Sequence, residues 1–152
     1  MPSTSTGFPC PNSSIGAVTK QGQLAIAEGR LDKGIALLTQ YRDLYPVHRA
    51  SARATVALSG ALARRGRTAE AIGILEQLSK RRLEFIDEQL SEGFAWLSVR
   101  DVLAELYHHD GRLADAKAVD DELETLLAVA DEDHPIKRRI GLRAADSRSP
   151  RQ

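Results

Sequence analysis

The sequence predicts an all-α fold, and three observations lead to this prediction. Apolar residues recur at three- and four-residue steps through the middle of the chain, the spacing that places them on one face of a helix. No stretch alternates apolar and polar residues for long, and aromatic residues, which strands favour, make up only 5% of the chain. Glycines separate the periodic segments at three similar turns. Together these features favour helices joined by short turns.

The composition is that of one ordinary globular domain. The chain has 152 residues, of which 42% are hydrophobic and 28% charged, so a real apolar core is expected. Its 21 basic residues equal its 21 acidic residues. This balance argues against a protein that coats nucleic acid or an anionic membrane, because both need an excess of Lys and Arg. The single cysteine, Cys10, excludes an intramolecular disulfide and fits a reducing compartment, so we expect a cytoplasmic location.

The two ends of the chain are predicted to be disordered. Residues 1–14 are mostly Ser, Thr, Pro, Asn and Gly, with neither Lys nor Arg, and we expect a disordered leader rather than a signal peptide. Residues 144–152 are polar and arginine-containing, and we expect a disordered basic tail. The helical domain is therefore predicted over residues 15–143. No apolar stretch approaches the roughly 20 residues that a membrane span requires.

Three antiparallel helix hairpins are predicted in this domain, each around a glycine turn. Gly29, Gly66 and Gly111 are each followed by an arginine, and an acidic residue comes two or three positions after that arginine. Glycine can adopt the left-handed conformation that ends a helix, and an acidic side chain favours the N-terminus of the next helix. The periodic apolar residues are Leu31, Ile35, Leu38, Tyr41 and Tyr45, then Ala71, Leu75 and Leu78, and then Leu113, Ala116, Val119, Leu123 and Leu126.

Two further helices are predicted outside these turns. Helical spacing continues between Lys80 and Leu97, which predicts a long helix there, and the lone Trp96 within it is expected in the core. After the third hairpin, residues 131–135 break the helix, and residues 136–142 are predicted to form a short closing helix. The spaced apolar residues of the long segment are Leu83, Ile86, Leu90, Phe94 and Leu97.

The hairpins resemble tetratricopeptide repeats, which are helix pairs that recur about every 34 residues. The turn glycines are 37 and 45 residues apart, and the resemblance spans roughly residues 15 to 130. In the third hairpin, Asp120 and Ala128 depart from the family pattern, and in the first, Gly34 replaces the usual Ala. The matching positions are Gly22, Leu31, Leu38 and Pro46 in the first hairpin, Leu58, Ser59, Leu62, Ala71, Leu75 and Leu78 in the second, and Leu103, Ala104, Tyr107, Leu113 and Ala116 in the third.

The resemblance implies an α-solenoid of about three hairpins with a C-terminal capping helix, acting as a non-enzymatic protein-interaction module or scaffold. In this family the first helix of each pair lines a concave groove that holds a peptide or a partner helix. The Lys and Asn set that clamps a terminal carboxylate in chaperone adaptors is missing. The groove positions carried over to this chain are Thr19, Gln23, Arg53, Arg64, Asp101, Glu105 and His108.

Catalytic and metal-binding chemistry has weak support in the sequence. His108, His109 and Glu105 form the best cluster, which leaves a small helical metal-binding protein or enzyme as an alternative. Adjacent histidines on a helix point about 100° apart, however, so we interpret the cluster as the end of a helix. Cys10 has no base nearby in sequence, and no glycine-rich phosphate loop is present. We therefore predict no cofactor and no bound metal.

Charge separates strongly near the C-terminus. Residues 120–133 contain seven acidic residues and no basic one, whereas residues 136–152 contain six basic residues and one acidic residue. Either the two segments are solvated or folded back on each other, or the basic segment is a docking arm for a partner. A regulatory or self-associating domain also stays open, because the end of a helical stack needs a cap, and a homo-oligomer would provide one. The basic clusters lack interleaved aromatic residues, which argues against nucleic-acid binding.

Overall fold

The computed structural model describes residues 11–44, 49–81 and 92–148, and all regular secondary structure in these ranges is helical. This confirms the predicted all-α class. The helices are α1 (Pro11–Ala27), α2 (Leu31–Leu44), α3 (Arg49–Arg64), α4 (Thr68–Ser79), α5 (Glu92–His109), α6 (Leu113–Leu126) and α7 (Pro135–Arg148).

The three glycine turns form as predicted. Gly29, Gly66 and Gly111 have φ values of 79°, 77° and 80°, in the left-handed region that favours glycine. After each glycine, the arginine N–H donates to the carbonyl five residues earlier, with Arg30 bonding Ala25 at 2.8 Å in the first turn. This bond satisfies a carbonyl that the helix end leaves without a partner. The same local chemistry therefore produces all three hairpins.

The hairpins pair α1 with α2, α3 with α4, and α5 with α6, and they stack in chain order. The first helices of successive hairpins also contact each other, α1 with α3 and α3 with α5. One continuous cluster of buried apolar residues runs through all three hairpins and reaches α7. Its largest fully buried side chains are Tyr41, Leu38, Leu58, Leu62, Leu75, Leu103 and Leu123.

The helices of the first hairpin cross at close range because two glycines meet there. A Cβ built on Gly22 would lie 2.8 Å from the Leu38 side chain, and one built on Gly34 would lie 2.5 Å from Cγ1 of Ile26. The Gly34 position would also bring that Cβ within 3.0 Å of the carbonyl oxygen of Gly22. Gly34, which departs from the family pattern, is thus explained by the close approach of α1 and α2.

Trp96 is buried, as predicted, with 6% of its surface exposed. Its indole packs against Ala52 of α3, and its Nε1–H donates to the carbonyl of Ser79 at 3.2 Å. The Arg100 guanidinium lies over the ring, 5.6 Å from its centroid. Trp96 therefore connects the third hairpin to both helices of the second.

The described helices extend past the predicted limits of the domain. Residues 11–14, expected in the leader, form the first turn of α1, where Pro11 suits the first helical position. Residues 144–148, expected in the tail, complete α7. The predicted long helix lies mostly outside the described residues: α4 ends at Ser79 and α5 begins at Glu92. Tyr45, Pro46 and Cys10 also lie outside them.

Candidate functional site

The residues predicted to line a groove divide into an exposed set and a buried set. Gln23 on α1, Arg53 and Arg64 on α3, and Glu105 on α5 are exposed. Arg53 and Arg64 are exposed, and neither forms an ion pair with a residue of the described ranges. Because α1, α3 and α5 are neighbours in the stack, these four side chains lie on adjoining helices.

The buried set consists of Thr19, Asp101 and His108, with exposures of 8%, 2% and 9%. Asp101 and His108 are covered by α7, the helix that follows the third hairpin. The sequence pattern predicted this helix but did not indicate that it would lie across two of the candidate groove positions. In this arrangement neither side chain is open to a partner.

Asp101 is held by two arginines of α7. Nε of Arg139 donates to Oδ2 of Asp101 at 2.6 Å, and Nη2 of Arg143 donates to Oδ1 at 3.1 Å. The two arginines are one helical turn apart, so both reach the same carboxylate. Arg139 is half-exposed, with 45% of its side chain open to solvent, whereas Arg143 is buried.

Arg143 also forms a two-pronged ion pair with Asp120 of α6. Its Nη2 and Nε donate to the two carboxylate oxygens of Asp120 at 2.6 and 3.1 Å. Burial alone would lower the pKa of the guanidinium, but the hydrogen bonds and negative charges of Asp120 and Asp101 outweigh it and raise that pKa above its usual value. Arg143 is therefore a fixed positive charge that joins α7 to both helices of the third hairpin.

The two histidines of the predicted cluster face different partners. Nε2 of His108 lies 3.1 Å from Oγ of Ser147 and 3.6 Å from Oδ2 of Asp146, both on α7. His109 is exposed, and its Nε2 lies 3.8 Å from Glu105. The two rings meet edge-on with their centroids 6.1 Å apart. Within the described residues no three His, Cys, Asp or Glu side chains are grouped so that they could hold a metal ion.

A cleft of about 410 Å³ lies between α6 and α7. Its walls combine the ion pair of Asp120 and Arg143 with apolar side chains such as Leu113 and Ile140, and His108 closes one end. The cleft therefore gives water access to one side of the interface that holds α7.

The acidic and basic segments of the C-terminal region fold onto each other, one of the outcomes left open by the sequence. Lys137 of α7 donates to the carbonyl of Ala130 at 2.9 Å and to Glu132 at 3.0 Å. Together with the bonds of Arg139 and Arg143, these contacts engage three basic residues of α7 within the chain. The charge pattern predicted a basic segment here but indicated no individual role for Arg139 or Arg143.

Comparing residues at equal distances from the three turn glycines could have identified this interface from the sequence. Nine residues after each turn glycine, the first two hairpins have Leu38 and Leu75, which are fully buried, whereas the third has Asp120. Three residues before each glycine, they have Ile26 and Ala63, whereas the third has His108. Polar residues thus replace apolar ones where the third hairpin meets the helix that follows it.

Helices that could cross a membrane are absent from residues 11–44, 49–81 and 92–148, since none there is both long and apolar enough.

Comparison with known proteins relates the chain to others through its fold. No protein-family model matches it, and no curated protein sequence matches it. A crystal structure from Podosopora anserina, of nearly identical TPR-like repeats assigned to a kinesin light chain, is similar with a TM-score of 0.72 at 18% sequence identity. The similarity covers 92% of this chain and 67% of that chain. The chain is therefore a tetratricopeptide-like α-solenoid, as its glycine-centred hairpins predicted.

Proposed function

We propose that the chain is a non-enzymatic interaction module that holds a peptide or helix of a partner protein against α1, α3 and α5. The observation that supports this proposal is the tetratricopeptide-like stack, in which three adjoining first helices present the exposed residues Gln23, Arg53, Arg64 and Glu105. A rigid stack fixes the backbone positions of these residues relative to one another before binding. The ordering cost is then limited to the partner segment and the contacting side chains, which favours affinity.

The surface proposed for binding has mixed charge. Arg53 and Arg64 are two cations on one helix, and Glu105 is an anion on the next first helix. An acidic segment of the partner would therefore lie along α3. Thr19, Asp101 and His108, which belonged to the predicted set, are buried and take no part in this proposal.

The proposal is tested by affinity capture from the native cell lysate with the tagged chain, followed by mass spectrometry. The double variant Arg53→Glu and Arg64→Glu should lose the captured partner and keep its helicity and melting temperature. The matched control is Lys33→Glu with Lys80→Glu, which makes the same change in charge at exposed positions outside the first helices. A partner retained by the first double variant would overturn the assignment to this surface.

The remaining parts of the proposal are also open to direct measurement. We propose a cytoplasmic location because Cys10 is the only cysteine of the chain, and we propose no role in nucleic-acid binding.

Self-association is the alternative use of the helical stack, and a mass that rises with protein concentration would identify it. Stoichiometric metal retained after purification would favour the alternative centred on His108 and His109.

A further inference from the structure

The end of the stack has an unusual chemistry. We call the surface formed by Asp101, His108 and Asp120 the terminal face. At the same register positions the first two hairpins have mainly apolar or small side chains, among them Leu38 and Leu75 in the core. The terminal face instead contains two buried carboxylates, 2% and 8% exposed, and an imidazole. It is therefore suited to a cationic helix rather than to another hairpin of the same kind.

Buried carboxylates are unfavourable unless a cation and hydrogen-bond donors accompany them. Arg143 meets this requirement for both, since it bonds Asp101 at 3.1 Å and Asp120 at 2.6 Å. Arg139 adds a second cation at 2.6 Å from Asp101. The planar guanidinium, with its fixed set of donors, suits this two-pronged geometry, which a lysine ammonium could not reproduce. The terminal face thus recognises a pair of arginines one helical turn apart.

The apolar part of the interface is small by comparison. Apart from Arg143, the buried residues of α7 are Ile136 and Ile140, and Leu142 is 70% exposed. Arg143 lies three residues after Ile140 on the same helical face, so the arginine continues the row that the two isoleucines begin. Docking of α7 therefore depends on its arginines for specificity as well as on two apolar contacts.

We propose that the terminal face is a binding site for a helix with two arginines four residues apart, which α7 fills in this chain and which a partner helix of the same pattern fills when α7 is released. This inference rests on the proposed function, because it adds a second surface to the same interaction module. Release of α7 would uncover Asp101 and His108 beside the exposed Glu105 and make the third hairpin acidic. The expected partner is accordingly an arginine-bearing amphipathic helix.

The test uses the full chain and a fluorescently labelled peptide with the sequence of residues 135–148, monitored by fluorescence anisotropy. The wild-type chain should bind the peptide weakly, because tethered α7 occupies the site at a high effective concentration. The Arg143→Met chain should bind it at least tenfold more tightly, since its own α7 no longer has the central cation. Adding Asp120→Asn to that chain should abolish the gain. A peptide in which the arginines corresponding to Arg139 and Arg143 are replaced by Gln, with its other two arginines kept, should not bind.

A second variant designed to release α7, which we also call a releasing variant, keeps the test valid if Arg143→Met does not fold. Ile140→Asn removes an apolar contact of α7 and leaves the terminal face intact, so it should also bind the peptide more tightly than the wild type. Circular dichroism identifies which releasing variants remain helical. If a helical releasing variant binds no better than the wild type, or if the peptide lacking Arg139 and Arg143 binds equally well, the proposal is wrong. The Arg53 and Arg64 variants should bind this peptide normally, which separates the test from that of the proposed function.

Discussion

Replacing Arg143 with Met should undock α7 and leave the three hairpins folded. The substitution keeps an unbranched apolar chain about as long as the arginine's aliphatic stem but removes the guanidinium, with its charge and every donor. Asp120 then loses both of its hydrogen bonds from Arg143, at 2.6 and 3.1 Å, and Asp101 keeps only Arg139. Two carboxylates buried under α7 would be poorly compensated, so separation of α7 from the stack becomes the favourable way to hydrate them.

The size of the effect follows from the structure. Breaking a buried ion pair by removing one partner costs about 3–5 kcal/mol. Two features of this site reduce that figure: Arg139 still compensates Asp101, and Asp120 lies in the wall of the cleft between α6 and α7, which water could enter. We therefore expect the free energy of unfolding to fall by about 2–3 kcal/mol. For a chain of this length, each kcal/mol lowers the melting temperature by roughly 2–4 °C.

Urea denaturation followed by circular dichroism gives the stability, and hydrogen exchange with mass spectrometry gives the protection of α7. Arg138→Met is the matched control, because Arg138 is an exposed arginine of the same helix with no ion pair to the described residues. It should change stability by less than about 0.5 kcal/mol. Equal stability of the two variants, or unchanged protection of residues 135–148 in Arg143→Met, would refute this role of Arg143.

A compensating substitution tests the cause directly. Arg143→Met is expected to be destabilising because it leaves the buried carboxylate of Asp120 without a cation. Introducing Leu at position 120, as at the equivalent positions 38 and 75, should then recover at least half of the lost free energy of unfolding. Replacement of a buried ion pair by apolar residues is often neutral or stabilising. A double variant no more stable than Arg143→Met alone would show that the loss has another origin.

Two smaller predictions concern Tyr107 and the glycines of the first hairpin. Burial and the hydrogen bond from the Tyr107 hydroxyl to Glu76, at 2.7 Å, raise the pKa of the phenol to about 12. Because this pKa is higher than in the unfolded chain, its stabilising contribution is complete below pH 10 and is lost as the pH rises from about 10 to 12. Absorbance titration of the tyrosines should show a late phase, and Tyr107→Phe should remove one tyrosine from it; an unchanged titration would contradict the assignment. Gly34→Ala should destabilise the chain by about 1–3 kcal/mol, because its Cβ would lie 2.5 Å from Ile26. Gly73→Ala, where the added Cβ would have no atom within 4 Å beyond its chain neighbours and its own helix backbone, should stabilise it by about 0.4–1 kcal/mol in the same thermal melts. Effects of equal sign would refute the packing argument.

The hairpins could be predicted from the sequence because their determinants are local. A turn that ends a helix in the left-handed conformation nearly requires glycine, so Gly29, Gly66 and Gly111 identify three such turns without any knowledge of packing. Helical periodicity then assigns Leu38 and Leu75 to the core, where the structure has them. These features can be predicted from a single sequence because each depends only on residues a few positions away.

The candidate groove could be predicted only in part because exposure depends on distant residues. Asp101 and Glu105 lie one turn apart on the same helix, yet Asp101 is buried by residues 38 and 42 positions further along the chain. Helical spacing alone cannot tell which of these two residues is buried and which is exposed. The relevant signal was instead the replacement of a core Leu by Asp120, which indicates a charged neighbour without identifying it.

The charge of the terminal face also limits which helices can pack after the third hairpin. A fourth hairpin of the same kind would bring an apolar surface against Asp101 and Asp120 and leave both carboxylates without cations, which is strongly unfavourable. Only a helix that supplies guanidiniums at matching positions can cover this face, and α7 does so with Arg139 and Arg143. An apolar face at the same place would accept any hydrophobic helix, including the exposed end of a second copy. Asp120, at the position where the other hairpins have Leu, thus limits which helices can extend the stack. Its charge selects a helix that carries arginines over one that is only hydrophobic.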